Sequence, residues 1–164
     1  MAFNDMLIKL YNLEFDWSTI QAQAAKGVEI GKPIGPDRRR LLEWIAAHFP
    51  ASWQGELERA LCNTPISCFI AQRDSSLLGF SCYDATALGY FGPIGVIESA
   101  RNSGTGTALA QACLLDMRLK GYGYAIVGMA GAREFYRKLA DAMEIPDSAP
   151  GIYRYSTGRT PNSD

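Results

Sequence analysis

The stretch best suited to chemistry reads Ile94-Gly95-Val96-Ile97-Glu98-Ser99-Ala100-Arg101-Asn102-Ser103-Gly104-Thr105-Gly106-Thr107. An apolar, strand-like run enters a short polar loop, and the Gly-x-Gly of that loop opens directly into an amphipathic segment. The first four N–H groups of a helix have no partner within it and point outward. Glycines let neighbouring amides turn toward one ligand and remove the Cβ that would block its approach. The helix dipole favours negative charge at the same end. Thr105 and Thr107 add two hydroxyl donors. A pyrophosphate matches such a cradle best, and a loop shaped only for tight packing is the plainer alternative. Two other phosphate motifs do not fit. A P-loop requires Gly-Lys-Ser/Thr. A dinucleotide fingerprint requires a third glycine where Leu109 stands.

Other chemistries have little material. Cys62, Cys68, Cys82 and Cys113 form no CxxC pair, and the single histidine, His48, has no ligand-like neighbours. A zinc site and a Cys/His nucleophile pair are therefore not expected. The 164 residues suit one domain, with 48% hydrophobic residues, 20% charged and a net charge of −1. That charge implies no bulk attraction to nucleic acid or anionic membrane. Arg38-Arg39-Arg40 reads as a solvated helix face. No signal-peptide pattern opens the chain and no apolar run approaches membrane-spanning length, so a reduced, cytoplasmic protein is expected.

The elements that must position the loop follow from periodicity. Residues 6–13 alternate as a first strand, and Asp16 or Ser18 opens a short helix that ends at Gly27. Residues 31–36, with two prolines and two glycines, predict a loop. Helices follow over 37–49 and 52–63, the first with Leu41, Leu42, Ile45 and Ala46 on one stripe. Strands are expected at 66–72 and 77–86, joined by the polar turn Arg73-Asp74-Ser75-Ser76, and at 91–97. The strongest helix covers 104–120, stopped by Gly121. A buried strand at 124–128, a helix at 132–143 and a last strand at 151–155 complete the pattern, with a polar tail at 156–164. Residues 1–155 are expected to form one domain, an α/β fold with a mixed sheet and helices on both faces.

Arg101-x-x-Gly104-x-Gly106, after an Ile-Gly-Val strand and before a long helix, resembles the pyrophosphate-binding motif of the GNAT (Gcn5-related N-acetyltransferase) superfamily. Gly121-Tyr122-Gly123-Tyr124-Ala125-Ile126-Val127 resembles the family's fifth strand. Ala132-Arg133-Glu134-Phe135-Tyr136-Arg137-Lys138-Leu139 resembles its A-x-x-F-Y-x-K-L helix. The resemblance runs from about Leu77 to Ala142, and the first 65 residues fit by pattern only. There are departures. Glu98 stands where the family often has proline, Asn102 and Ser103 replace glycine and a basic residue, and Gly128-Met129-Ala130-Gly131 occupies the place of a frequent asparagine.

The resemblance implies a mostly antiparallel sheet of about six to seven strands. It also implies an N-acyltransferase that moves an acetyl or other acyl group from acetyl-CoA to an amine by direct attack in a ternary complex. Arg101, Asn102, Ser103, Gly104, Thr105, Gly106 and Thr107 would hold the pyrophosphate, and the backbone of Ile94, Gly95, Val96 and Ile97 the pantetheine arm. An N–H near Val96 would face the thioester carbonyl, and Tyr136 would be the general acid. A phenol, with an ordinary pKa of about 10, holds its proton at neutral pH. Glu98, Asp84 and Tyr90 are the candidates for the base, with a water chain as the alternative. Tyr83, Tyr90, Phe91 and Trp44 are candidates to line the acceptor pocket. The expected partner is a small-molecule or peptide amine, without metal, nucleic acid or membrane, and a homodimer stays open. A non-catalytic acyl-CoA-binding sensor on the same fold is the alternative function.

Overall fold

The computed structural model describes residues 3–14 and 16–157. Strand β1 (Met6–Lys9) buries Met6 and Ile8 on alternate positions and lies between two antiparallel neighbours, β6 (Tyr124–Val127) and β7 (Met143–Glu144). A second ladder runs β2 (Glu29–Gly31), β3 (Cys68–Arg73), β4 (Ser76–Tyr83), β5 (Phe91–Val96), antiparallel throughout. The β3–β4 hairpin turns through Asp74 and Ser75, both at positive φ (47° and 63°), the two-residue turn whose twist suits a hairpin.

The two ladders meet where β5 and β6 run parallel. Among the described residues they are bridged at Tyr90 and Ile126, beside an Ile126 N–H to Gly89 O bond of 2.9 Å. Beyond it the strands part. The β4–β5 register shifts between Ser81 and Tyr83, and an irregularity of that kind bends a strand away from its neighbours.

Helices cover both faces. The long helix α4 (Thr105–Leu119) lies against β4, where Ser81 Oγ donates to Leu109 O at 2.8 Å. A Cβ on Gly79 would meet Leu109 Cδ1 and Gly95 O at 2.9 Å, so glycine is required for that approach. Helices α2 (Arg38–His48) and α3 (Ala51–Cys62) cover the other face, packing Leu41, Ile45 and Leu57 on Cys68, Phe80 and Cys82. Helix α1 (Ser18–Ala25) runs beside α4, and α5 (Arg133–Ala140) beside β1.

Five expectations shift, the first being that the strand expected at 77–86 ends at Tyr83 and leaves Thr86 outside it. The first strand stops at Lys9 and continues as a 3₁₀ turn, Leu10–Asn12. Glu29–Gly31, on the border of the expected loop, is an edge strand paired with β3. The last helix ends at Ala140, because Asp141 takes the left-handed conformation (φ 50°) and its N–H returns to Arg137 O. That early stop frees Met143 to pair with Leu7, so the last strand is Met143–Glu144, while Gly151–Tyr155 is a 3₁₀ turn. The expected tail, from residue 158 onward, lies outside the described residues.

Candidate active site

Among the described residues the gap between β5 and β6 leaves one edge of β5 without a strand partner. Ile97 N–H donates to Leu78 O at 2.9 Å, so the strand's alternation turns the amides of Ile94 and Val96 the other way. Val96 O, on that outer edge, accepts from Arg101 Nε at 3.0 Å. The edge borders an open cleft of ≈ 1070 Å³ whose walls include Ile94, Gly95, Val96, Gly106, Phe135 and Tyr136. A smaller hollow of ≈ 430 Å³ beside Trp17, Ile20 and Leu114 holds none of these groups.

Where β5 ends, a 3₁₀ turn (Glu98–Ala100) and the loop 101–104 lead into α4. Asn102 (φ 58°) and Gly104 (φ 85°) both take left-handed backbone, which turns successive amides toward one side. The first amide of α4 with a partner is Ala108 N–H, which donates to Gly104 O at 3.0 Å. Among the described residues the six amides from Asn102 to Thr107 make no hydrogen bond. A Cβ on Gly106 would meet nothing nearer than Val96 Cγ2 at 3.7 Å, so glycine there keeps open space beside the amides.

The loop is held from behind. Gln23 of α1 is fully buried; its Nε2 donates to Ser103 O (2.7 Å) and its Oε1 accepts from Thr105 Oγ1 (2.7 Å). Lys26 Nζ reaches the same Ser103 carbonyl at 3.1 Å, and Ser103 Oγ donates to Ala100 O. Tyr136, on α5, is buried edge-on to Phe91 (6.2 Å between ring centroids) and Phe135 (5.2 Å). Burial pushes its phenol up to about 12, and among the described residues it has no hydrogen-bond partner.

A family model described as the Acetyltransferase (GNAT) family matches residues 38–140. The chain belongs to this family. Solved GNAT structures share its fold. A GCN5-related glucosamine N-acetyltransferase region of a fungal multi-domain β-N-acetylglucosaminidase superposes with a TM-score of 0.72 at 11% identity, over 88% of this chain and 20% of that one. GCN5-related N-acetyltransferases from Sphaerobacter thermophilus (TM-score 0.63, 17% identity, 88% of this chain, 50% of that) and Kribbella flavida (0.56, 15%, 88%, 55%) follow. This chain therefore spans between a fifth and about half the length of these structures. No curated protein matches it in sequence.

In this GNAT chain several side chains stand elsewhere than their residue types suggest. The Thr105 hydroxyl is buried and donates to Gln23, so only its amide is offered to a ligand, while Thr107 is half-buried in the same turn. Arg101 folds back on Val96 O rather than forward over the amides. Gly95 does more than expose backbone. A Cβ there would lie 2.5 Å from Phe49 Cε1 and 3.0 Å from Trp53 Cζ3, two rings that stack at 5.4 Å between α2 and α3.

None of the three candidate bases lines the cleft. Asp84 is buried and accepts from Gly89 N–H (2.7 Å) and Tyr122 OH (2.7 Å), with Lys120 Nζ at 3.4 Å. Burial first, and then the neighbouring Asp5, raise the pKa of Tyr90. Glu98 starts the exposed 3₁₀ turn. Of the candidate pocket aromatics only Phe91 lines the cleft; Tyr83 donates to Asp116 Oδ2 (2.7 Å), and Trp44 packs on Phe49 and Phe80. The cleft is instead completed by Trp53, Glu56, Thr86 and Tyr153. Thr86 Oγ1 donates to Glu56 Oε1 at 2.5 Å, and burial above all pushes Tyr153 up to about 12. Tyr153 lies across Gly128, where a Cβ would be 2.5 Å from its hydroxyl, which explains glycine at that departure from the family pattern. No periodicity could have marked these four, because they come from three distant segments. No helix among the described residues is long and apolar enough to cross a membrane, and no group of three or more His, Cys, Asp or Glu is placed to hold a metal.

Proposed function

We propose that the chain moves an acetyl group from acetyl-CoA to an amine that attacks it directly in the cleft. The observation that carries this reading is the run of six unpartnered amides, 102–107, opening beside a cleft that Gly106 and Tyr136 both line. Anionic oxygens would satisfy those amides, with the α4 dipole adding to the attraction. The free edge of β5 offers the amides of Ile94 and Val96 to an extended amide-bearing arm, as one more strand would. Acetyl-CoA supplies the acyl group as an activated thioester. The Val96 N–H, fixed by the β4–β5 ladder, is the donor available to a carbonyl oxygen that gains negative charge during attack.

Tyr136 would give the departing sulfur its proton. A phenol held near 12 keeps that proton throughout the physiological range. The burial responsible also makes a thiolate in the same place more basic, which narrows the gap between donor and acceptor. The described residues serve as one domain in this reading, with the amine entering from the side of the cleft opposite the cradle.

Binding by the folded state raises the thermal midpoint by mass action. Acetyl-CoA is expected to raise it clearly, and pantetheine lacking the phosphates much less. Stabilisation by ATP or NAD with none by acetyl-CoA would sink the reading.

A further inference from the structure

The cleft continues past Trp53 and Tyr153 into a wider groove of ≈ 1460 Å³ between α3 and the Gly151–Tyr155 turn. Glu56 and Thr86 line both, so they stand at the waist where the two spaces join. Among the described residues Glu56 is the only charged side chain lining the cleft, and the groove adds only Arg59. The rest of the groove wall is largely aromatic or apolar, with Trp53, Met129, Ile152, Tyr153 and Tyr155.

The carboxylate is oriented. Thr86 Oγ1 donates to Oε1 at 2.5 Å, and among the described residues no donor reaches Oε2. A half-buried carboxylate with one oxygen held by Thr86 and one open, in a wall that includes Trp53, Tyr153 and Tyr155, suits an alkylammonium head. The carboxylate supplies the ion pair and the rings a cation–π surface.

Resting on the acetyl-CoA reading above, we infer that the groove admits a primary alkylamine with an apolar or aromatic body, and that Glu56 is the base that deprotonates it. The acceptor arrives as an ammonium. One of its protons passes to Glu56 Oε2 and from there to solvent. The nitrogen lone pair forms the N–C bond to the thioester carbon, and the C–S bond breaks with its electron pair going to sulfur. Tyr136 protonates the sulfur, and the second proton leaving nitrogen makes good the one Tyr136 gave up. One amide, one thiol and one released proton balance the step.

The test uses two amines with acetyl-CoA: 2-phenylethylamine, charged at neutral pH, and aniline, neutral there. The wild type should favour 2-phenylethylamine. Glu56→Gln keeps an oxygen for Thr86 and should lower kcat/KM on that amine by about 10²–10³, within the range of general base catalysis. Its thermal midpoint and acetyl-CoA affinity should match the wild type, which excludes misfolding as the cause; if they do not, Glu56→Asp, a shorter carboxylate, is expected to recover part of the rate. A fall of less than tenfold, a wild-type preference for aniline, or turnover of neither amine would overturn the inference. Retained acetyl-CoA binding in any of those cases leaves the cofactor reading standing, whereas loss of wild-type acetyl-CoA binding defeats that reading first.

Discussion

Tyr136 is the residue to which a single chemical step is assigned, and its surroundings make the assignment testable. Its ring is buried against Phe91 and Phe135, so Tyr136→Phe removes only the hydroxyl and leaves the edge-on packing in place. A positioned general acid contributes a factor of about 10²–10⁴. The variant should lose kcat in that range with little change in the KM for acetyl-CoA, because proton donation matters only as the thiolate leaves. Steady-state rates at saturating acetyl-CoA measure it. An undiminished kcat would return Tyr136 to the role of a packing residue and leave protonation to solvent.

At the scale of elements, the cradle depends on a helix that never touches the ligand in this reading. Helix α1 reaches through Gln23 to both the carbonyl of Ser103 and the hydroxyl of Thr105, fixing the loop from the side opposite its free amides. Gln23→Leu would remove the 2.7 Å partner of the buried Thr105 hydroxyl and one of the two donors to Ser103 O, leaving Ser103 Oγ (3.2 Å) and Lys26 Nζ (3.1 Å) as their remaining contacts, a cost of about 1–3 kcal/mol in all. Lower stability is therefore expected together with weaker acetyl-CoA binding, read by denaturant titration and calorimetry. A variant that lost stability but bound acetyl-CoA undiminished would show that the loop holds its shape without α1.

For the whole molecule, burial of phenols makes stability fall in alkali. Tyr122, Tyr136 and Tyr153 are each pushed up to about 12, and Tyr83 higher still, by burial first and, for Tyr83 and Tyr122, by the carboxylates they bond. Above pH 10 the unfolded chain releases phenolic protons that the folded chain retains. The unfolded state then binds fewer protons, so stability declines as pH rises from about 10 to 12. Below pH 10 both states hold these protons and the phenols contribute no slope. Denaturant midpoints at pH 9, 10 and 11 should show a flat segment followed by a fall, and a flat profile throughout would contradict the burial of these rings.

What the sequence determined by itself was local. Glycine at 104 and 106, an apolar strand before them and the 3.6-residue stripe after them are short-range features from which the loop and α4 were legible, as the β3–β4 hairpin was from the polar turn Arg73-Asp74-Ser75-Ser76 between two apolar runs. The family's fold was legible in the same stretch, since its motifs lie close together in the chain. Tertiary structure alone decided which side chains share a space. Thr105 could be read as a donor but not as Gln23's partner, 82 residues away. Asp84 carries the right chemistry for a base, yet the fold gives its oxygens to Gly89, Tyr122 and Lys120. Glu56 lies inside the stretch that the sequence marks only as a helix over 52–63, with nothing to single it out. It became a site residue only when β4 ended at Tyr83, bringing Thr86 beneath α3, and the Gly151–Tyr155 turn brought Tyr153 alongside. Contacts between residues far apart in the chain depend on how whole elements pack, and no periodicity within one element encodes that packing.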